Sequence, residues 1–151
     1  MSNHRTPNIL IVDDDPADQF LVREAMKLSN LNCNLRLVND GDEALEYLYH
    51  RGRYNDRFKA PRPDLILLDL NMPRYDGRKV AKAIKGDPGL KNIPVVVLTT
   101  SGQEEDIDDL YQIGVNSYMQ KPVNFDDFTD ALRDLSVYWL ERAALPPNRG
   151  R

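Results

Sequence analysis

The stretch PDLILLD at residues 63–69 is an apolar run that ends in one carboxylate, Asp69. A short apolar run followed by a turn is typical of a strand that is buried on both faces, as in a parallel sheet. Asp69 would then stand at the carboxyl end of its strand, and that end of an open parallel sheet lines the crevice where ligands bind. The stretch therefore predicts a fold with a parallel sheet, and a site at the carboxyl ends of its strands.

Two other apolar runs also lead into polar side chains. ILIV at residues 9–12 precedes Asp13, Asp14 and Asp15, and VVVL at residues 95–98 precedes Thr99. Further strands are predicted at residues 34–38 and 115–119. Helical patterns alternate with these five strands and begin near Pro16, Asp42, Gly77, Gln103 and Asn124. This alternation predicts an α/β fold: a doubly wound, five-stranded parallel sheet with helices on both faces.

Two helices carry more specific expectations. In the first, Leu21, Ala25 and Leu28 are predicted to face the sheet. The last is predicted to be long, from Asn124 to about Ala144.

Composition limits the function further. The chain has 151 residues, of which 41% are hydrophobic and 29% charged, as expected for one globular domain. A net charge of -4 argues against nucleic acid as the main partner. No apolar run approaches the ~18 residues that span a bilayer, and the polar first residues do not resemble a signal peptide. With a single cysteine, Cys33, no internal disulfide is possible. We expect a cytoplasmic protein that binds no membrane.

The strand ends should bring together Asp13, Asp14, Asp69, Thr99 and Lys121. One Asp at a strand end is more often a cap or turn residue, but the joint pattern indicates a shared site. Clustered carboxylates repel one another unless a cation lies among them, and oxygen ligands suit Mg²⁺, or Mn²⁺ in its place. A lysine and a hydroxyl opposite them would hold phosphoryl oxygens. The predicted chemistry is phosphoryl transfer to a carboxylate.

Several segments together resemble the response-regulator receiver domains of two-component signalling. They are IVDDD at residues 11–15, LLDLNMP at 67–73, DG at 76–77, LTTS at 98–101 and YMQKP at 118–122. The resemblance covers nearly the whole chain. It implies a flavodoxin-like (βα)5 fold with strand order 2-1-3-4-5, and one receiver domain over residues 1–151. The core would span about 7–136 and a C-terminal extension about 137–151.

The resemblance also implies a role for each matching residue. Asp69 would be the phosphoacceptor for a histidine kinase, and the metal would be held by Asp69, Asp14, the Asn71 carbonyl and, through water, Asp13. Thr99 and Lys121 would contact the phosphoryl oxygens, and Tyr118 would be the switch aromatic of the α4-β5-α5 face. The bond before Pro122 would be cis. Such a domain catalyses only its own phosphorylation and dephosphorylation, so it is not otherwise an enzyme.

A narrower resemblance is to the single-domain response regulators of bacterial phytochromes. Those proteins carry a long basic insertion before the third strand and end in an aromatic-Trp-Leu stretch followed by Leu-Pro. Here the insertion is residues 50–62, and the end is YWL at 138–140 with LPP at 145–147. The resemblance implies a phytochrome-type kinase as partner. Asp13 departs from the pattern, because many of those relatives carry Glu there.

Two surfaces are candidates for partner binding. The last helix has an apolar face of Phe125, Phe128, Leu132, Leu135 and Trp139, and a second stripe that includes Val137, Leu140 and Ala144. We predict a homodimer through Trp139, Leu140, Val137 and Ala144; the alternative is a tail folded back on its own domain. In the basic insertion, Arg51, Arg53 and Arg57 are candidates for kinase docking, although an ordinary solvated loop is equally compatible with them.

Other functions fit less well. A phosphatase with an aspartyl nucleophile needs a second Asp where this chain has Asn71, and a dinucleotide-binding domain needs a glycine-rich turn after the first strand. A phosphorelay intermediate and a receiver-like binding module that is never phosphorylated remain alternatives. No sequence remains for a DNA-binding output, so we expect the signal to pass to an unknown downstream protein.

Overall fold

Five short strands form one parallel sheet in the order β2-β1-β3-β4-β5. The computed structural model describes residues 6–28, 30–70 and 77–147. The strands are β1 (Asn8–Val12), β2 (Asn34–Val38), β3 (Leu65–Asp69), β4 (Val95–Thr99) and β5 (Ser117–Gln120). The helices are α1 (Pro16–Leu28), α2 (Gly41–Tyr49), α3 (Gly77–Gly86), α4 (Glu104–Ile113) and α5 (Phe125–Val137). The flavodoxin-like (βα)5 fold and its strand order are confirmed.

The sheet has a separate apolar layer on each face. Every residue of β1, β3 and β4 is buried, and alternate side chains point to opposite faces. Leu10 and Ile66 pack with residues of α2, α3 and α4, whereas Ile9 and Leu67 pack with residues of α1 and α5. The sheet is therefore doubly wound, as predicted.

The buried face of α1 differs from the predicted one. Val22, Ala25 and Met26 are buried, but Leu28 is 70% exposed. At about 100° per residue, Leu28 lies roughly 110° around the helix from the centre of that face. The prediction for Leu28 was wrong for this reason.

The end of α4 shifts the start of β5. Gly114 adopts φ 115°, and its N–H bonds the carbonyls of Leu110 and Tyr111. The Val115 N–H also bonds the Leu110 carbonyl, at 3.2 Å, so Val115 closes the helix instead of opening the strand. β5 accordingly begins at Ser117, two residues after the predicted start at Val115.

The last helix is long, as predicted, but its winding changes near its end. α5 continues beyond Val137 as a π-helical turn, Tyr138–Arg142, in which the Ala143 N–H bonds the Tyr138 carbonyl at 2.7 Å. Pro146 and Pro147 then line a small crevice together with Pro63 and Pro94. The tail thus lies against the amino ends of β3 and β4. Among the described residues, no helix is long and apolar enough to cross a bilayer.

Candidate functional site

The carboxyl edge of the sheet brings the predicted side chains together. Asp13 and Asp14 follow β1, Asp69 ends the adjacent β3, and Thr99 ends β4. Lys121 follows β5 and is fixed by its backbone N–H, which bonds the Thr99 carbonyl at 2.7 Å. Because β1, β3, β4 and β5 are consecutive in the sheet, their tips converge on one crevice.

Three carboxylates form the acidic part of this site. One oxygen each from Asp13, Asp14 and Asp69 lies within 4.8 Å of the others, and Asp13 and Asp69 are buried. Burial raises the pKa of Asp13 to about 8, and the charge of Asp69 adds to the rise; the Asp15 N–H and Lys121 oppose it. Without a cation, the cluster therefore holds a proton at neutral pH.

The donor set fits a hard divalent cation. It offers carboxylate oxygens without sulfur or imidazole, and Mg²⁺ and Mn²⁺ both accept such ligands. The raised pKa of Asp13 agrees with this, because a buried carboxylate beside Asp69 is stabilised in its ionised form by a bound cation. The Asn71 carbonyl, the remaining predicted ligand, lies outside the described residues.

Lys121 is the cationic side of the site. Its ammonium nitrogen is 3.3 Å from Asp69 Oδ1 and 3.9 Å from Asp13 Oδ2, and the side chain is only 10% exposed. A shorter contact, 2.6 Å, joins it to Asp18 Oδ2 in the first turn of α1. Burial alone would lower the pKa of Lys121, but the hydrogen bond to Asp18 and the nearby carboxylates outweigh burial and raise it.

Asp18 is the site residue that the sequence analysis missed. An acidic residue in the first turn of a helix is ordinarily explained by the helix dipole, so its position carried no signal. Asp18 also lies three residues after the run Asp13, Asp14 and Asp15, so it does not belong to that acidic motif. The contact spans 103 residues of sequence and emerges only from the fold.

The predicted switch residues are connected through the loop after β4. Thr99 is fully buried, and its Oγ1 accepts the Ser101 N–H at 3.2 Å. The half-buried Tyr118 donates its hydroxyl to the Ser101 carbonyl at 2.7 Å and packs on the core below α4. Ser101 Oγ in turn donates to Asp106 of α4 at 2.6 Å. Thr99 and Tyr118, predicted to act together, therefore hold the same short segment.

The expected cis bond before Pro122 is not found. The described part of the chain contains no cis peptide bond, so the Lys121–Pro122 bond is trans and that prediction is corrected. A tertiary X–Pro amide intrinsically favours trans by about 0.5–1 kcal/mol. The Lys121 ammonium still reaches Asp69 with the trans bond.

An open groove of about 750 Å³ leads to the site. Asp14, Asp69 and Lys121 line its floor, and its wall includes Phe125 and Val123. Val123 is fully exposed and Phe125 half exposed, so an apolar rim borders the acidic centre.

The basic insertion packs along α2. Arg51 lies 4.7 Å over the Tyr49 ring, and Arg53 is 3.4 Å from the buried carboxylate of Glu43. The Tyr54 hydroxyl also donates to Glu43, and Tyr54 stacks edge-on against Tyr47. Arg57 is exposed and borders a small pocket of about 120 Å³. Two of the three candidate docking arginines thus have partners within the domain.

The candidate dimer residues are divided between core and surface. Trp139 and Leu140 pack on the apolar layer shared by α1 and α5, Val137 is half-buried, and Ala144 is exposed. Tyr138 is 55% exposed, and its ring contacts Trp139 edge-on. Both Tyr138 and Trp139 line a groove of about 610 Å³ beside β5, together with Tyr118, Met119 and Leu135.

Known proteins resemble this chain over nearly its full length. The family model described as the response regulator receiver domain matches residues 9–133. Response regulator Rcp1 of Synechocystis sp. is 43% identical over 148 residues, which cover 97% of this chain and 99% of Rcp1.

Two crystal structures are also similar. The phosphorylated cyanobacterial phytochrome response regulator RcpA superposes with a TM-score of 0.89 at 43% identity, over 95% of this chain and 100% of that chain. The Mn²⁺-bound form of Rcp1 gives 0.87 at 43% identity, over 93% and 99%.

Proposed function

Because the chain belongs to the response regulator receiver family, we propose that Asp69 accepts a phosphoryl group from the phosphohistidine of a sensor kinase. The position of the Asp69 carboxylate carries the proposal. It ends a buried strand, shares a 4.8 Å cluster with Asp13 and Asp14, and lies 3.3 Å from the Lys121 ammonium. A carboxylate that could act as a nucleophile, oxygen ligands that could hold a cation and a fixed positive charge thus share one opening, which supports the proposal.

The reaction follows from these positions. An Asp69 carboxylate oxygen attacks phosphorus, an O–P bond forms as the P–N bond breaks, and the released imidazole nitrogen takes a proton from water. Lys121 balances charge on the phosphoryl oxygens, and the Thr99 hydroxyl donates a hydrogen bond to them. Hydrolysis of the acyl phosphate would reset the site. The chain then catalyses only its own phosphorylation and dephosphorylation.

Asp13, Asp14 and Asp69 would hold the divalent cation, which we assign as Mg²⁺. When bound, it neutralises the carboxylates and the incoming phosphoryl oxygens. The support on this chain is the oxygen-only donor set and the raised pKa of Asp13. The similar Rcp1 has been crystallised with Mn²⁺.

Phosphorylation would change the α4-β5-α5 face through the loop after β4. If the Thr99 hydroxyl turns to the phosphoryl group, the Ser101 N–H loses its acceptor. Tyr118 is tied to the same residue through the Ser101 carbonyl, so it must repack when the loop moves. Phosphorylation thereby shifts the population between two packings of this face.

We propose a phytochrome-type kinase as the donor, on the basis of the similarity to Rcp1 and RcpA. Its histidine must enter the groove above Asp69, so the apolar rim of Val123 and Phe125 is the first docking surface. Arg57 and its basic neighbours Arg51 and Arg53 would make a second, electrostatic contact beside α2. Such a partner would require a cytoplasmic protein, and a single cysteine is compatible with a reducing compartment.

The kinase assignment is tested by phosphotransfer. A radiolabelled phytochrome-type kinase should transfer its phosphoryl group to the wild type, and Val123→Asp should slow the transfer while leaving modification by acetyl phosphate unchanged. Leu28→Asp is the matched control, because Leu28 is 70% exposed at the end of α1, away from both the groove lining and the basic insertion. Equal transfer rates in all three proteins would contradict docking at the rim.

We also propose a homodimer through the exposed edge of the last helix. Tyr138 lines the groove along β5, next to Tyr118 on the face that phosphorylation would change, and the half-buried Val137 precedes it in the helix. Sedimentation velocity should show a dimer for the wild type and a monomer for Tyr138→Glu, with Phe58→Glu still dimeric. A wild type that stays monomeric at millimolar concentration, with or without phosphorylation, would contradict self-association and leave the folded-back tail as the whole role of this segment.

A further inference from the structure

The shortest contact of the site lysine is to a residue outside the phosphoryl-transfer set. Lys121 Nζ is 2.6 Å from Asp18 Oδ2, compared with 3.3 Å to Asp69 and 3.9 Å to Asp13. The Lys121 side chain is 10% exposed and that of Asp18 22%, so water screens this ion pair only in part. In the unphosphorylated protein, Asp18 is therefore the principal partner of the ammonium.

The helix itself does not require a carboxylate at this position. α1 already has a side-chain cap, since Asp15 Oδ1 accepts the Ala17 N–H at 2.9 Å. The Asp18 carboxylate lies on the wall of the groove that holds Asp69 and Lys121. The local sequence accounts for Asp15, whereas the position of Asp18 is explained by its contact with Lys121.

A phosphoryl group on Asp69 would draw on the same ammonium. An ammonium has three N–H donors, and the added phosphoryl oxygens are strong acceptors close to Asp69. Lys121 can satisfy them only by giving up part of its contact with Asp18. We propose that Asp18 is a positioning residue, which holds Lys121 towards α1 and competes with the phosphoryl oxygens for it. This inference rests on the proposed role of Asp69.

Competition predicts a definite effect on the affinity for a phosphoryl analogue. Beryllofluoride in the presence of Mg²⁺ places fluorines where phosphoryl oxygens would lie on Asp69. Asp18→Asn should bind it about three- to tenfold more tightly than the wild type, because the ammonium loses a charged competitor. Asp18→Glu keeps the charge and should stay near the wild-type affinity.

Two controls separate positioning from a general effect of charge. Asp15→Asn removes the same charge from the same groove and keeps an oxygen for the helix cap, so its affinity should change by less than about twofold. In a Lys121→Met background, Asp18→Asn should also have less than about a twofold effect, since the residue that Asp18 acts on is gone. Fluorine NMR at millimolar beryllofluoride measures the weak binding of that background.

The outcomes distinguish this role from the proposed function. A wild type that binds no beryllofluoride with Mg²⁺ overturns the phosphoacceptor assignment and with it the role of Asp18. If the wild type binds, the role of Asp18 alone is overturned by either of two results. One is that Asp18→Asn matches the wild type or Asp15→Asn; the other is that its gain persists in Lys121→Met.

Discussion

Replacing Asp13 by Asn should make metal binding nearly independent of pH between about pH 6 and pH 8. In the folded protein without metal, burial raises the pKa of Asp13 from 3.8 to about 8. Mg²⁺ requires the ionised carboxylate, so it must displace this proton when it binds. Below pH 8, the apparent affinity of the wild type should therefore fall about tenfold per pH unit, and close to one proton should be released per ion near pH 6.5.

Calorimetry in buffers of different ionisation enthalpy measures both the affinity and the number of protons released. Asp13→Asn should bind Mg²⁺ more weakly at pH 8 but with little slope and no proton release. Asp15→Asn, whose side chain is exposed, should keep the wild-type slope. A flat wild-type profile, or a slope that persists in Asp13→Asn, would show that a buried, protonated Asp13 does not control metal binding.

The same pKa has a consequence for stability without metal. Since the folded protein binds a proton at Asp13 that the unfolded chain releases near pH 4, this contribution to stability is present below pH 4. It is lost as the pH rises through about 8. Between about pH 4 and pH 8, the urea midpoint of the wild type should therefore decrease relative to that of Asp13→Asn, and Mg²⁺ should oppose the decrease. Parallel plots of midpoint against pH for the two proteins would contradict the raised pKa of Asp13.

Two further substitutions test internal contacts outside the site, one in the insertion and one in α5. Tyr54→Phe should lower the free energy of unfolding in urea by about 1–2 kcal/mol, because the buried Glu43 carboxylate loses a hydrogen bond; no change would mean that the insertion is not anchored there. Ser136→Ala should raise it by about 1 kcal/mol, since the fully buried Ser136 hydroxyl has no hydrogen-bond partner among the described residues. A loss of stability in Ser136→Ala would show that the hydroxyl is satisfied in solution.

The fold was predictable because its strands are short, continuous apolar runs separated by helical patterns. The strand predicted at residues 34–38 agrees with β2, and β1, β3 and β4 each extend one residue beyond the apolar runs at 9–12, 65–68 and 95–98. The errors arise at apolar residues that neither belong to a strand nor lie on the buried face of a helix. Val115 is such a case, since it closes α4 by a backbone hydrogen bond that periodicity does not reveal.

The site was predictable to the extent that the strand tips define it. Asp13, Asp14 and Asp69 converge as the strand order requires, and Lys121 reaches Asp69. The partner of Lys121 on α1 was not predictable, because that contact depends on how a helix start and a distant loop pack. The contacts of Arg51 with Tyr49 and of Arg53 with Glu43 were not predictable for the same reason. A basic segment has the same sequence pattern whether it packs on its own domain or is solvated.

Intact mass spectrometry is the sharpest test of phosphorylation at Asp69. After incubation with acetyl phosphate and Mg²⁺, the wild type should gain the mass of one phosphoryl group, and chelation of the metal should abolish the gain. Asp69→Asn should gain nothing under the same conditions. An unmodified wild type at every Mg²⁺ concentration, or an equal gain in Asp69→Asn, would contradict the account and leave a receiver-like binding module in its place.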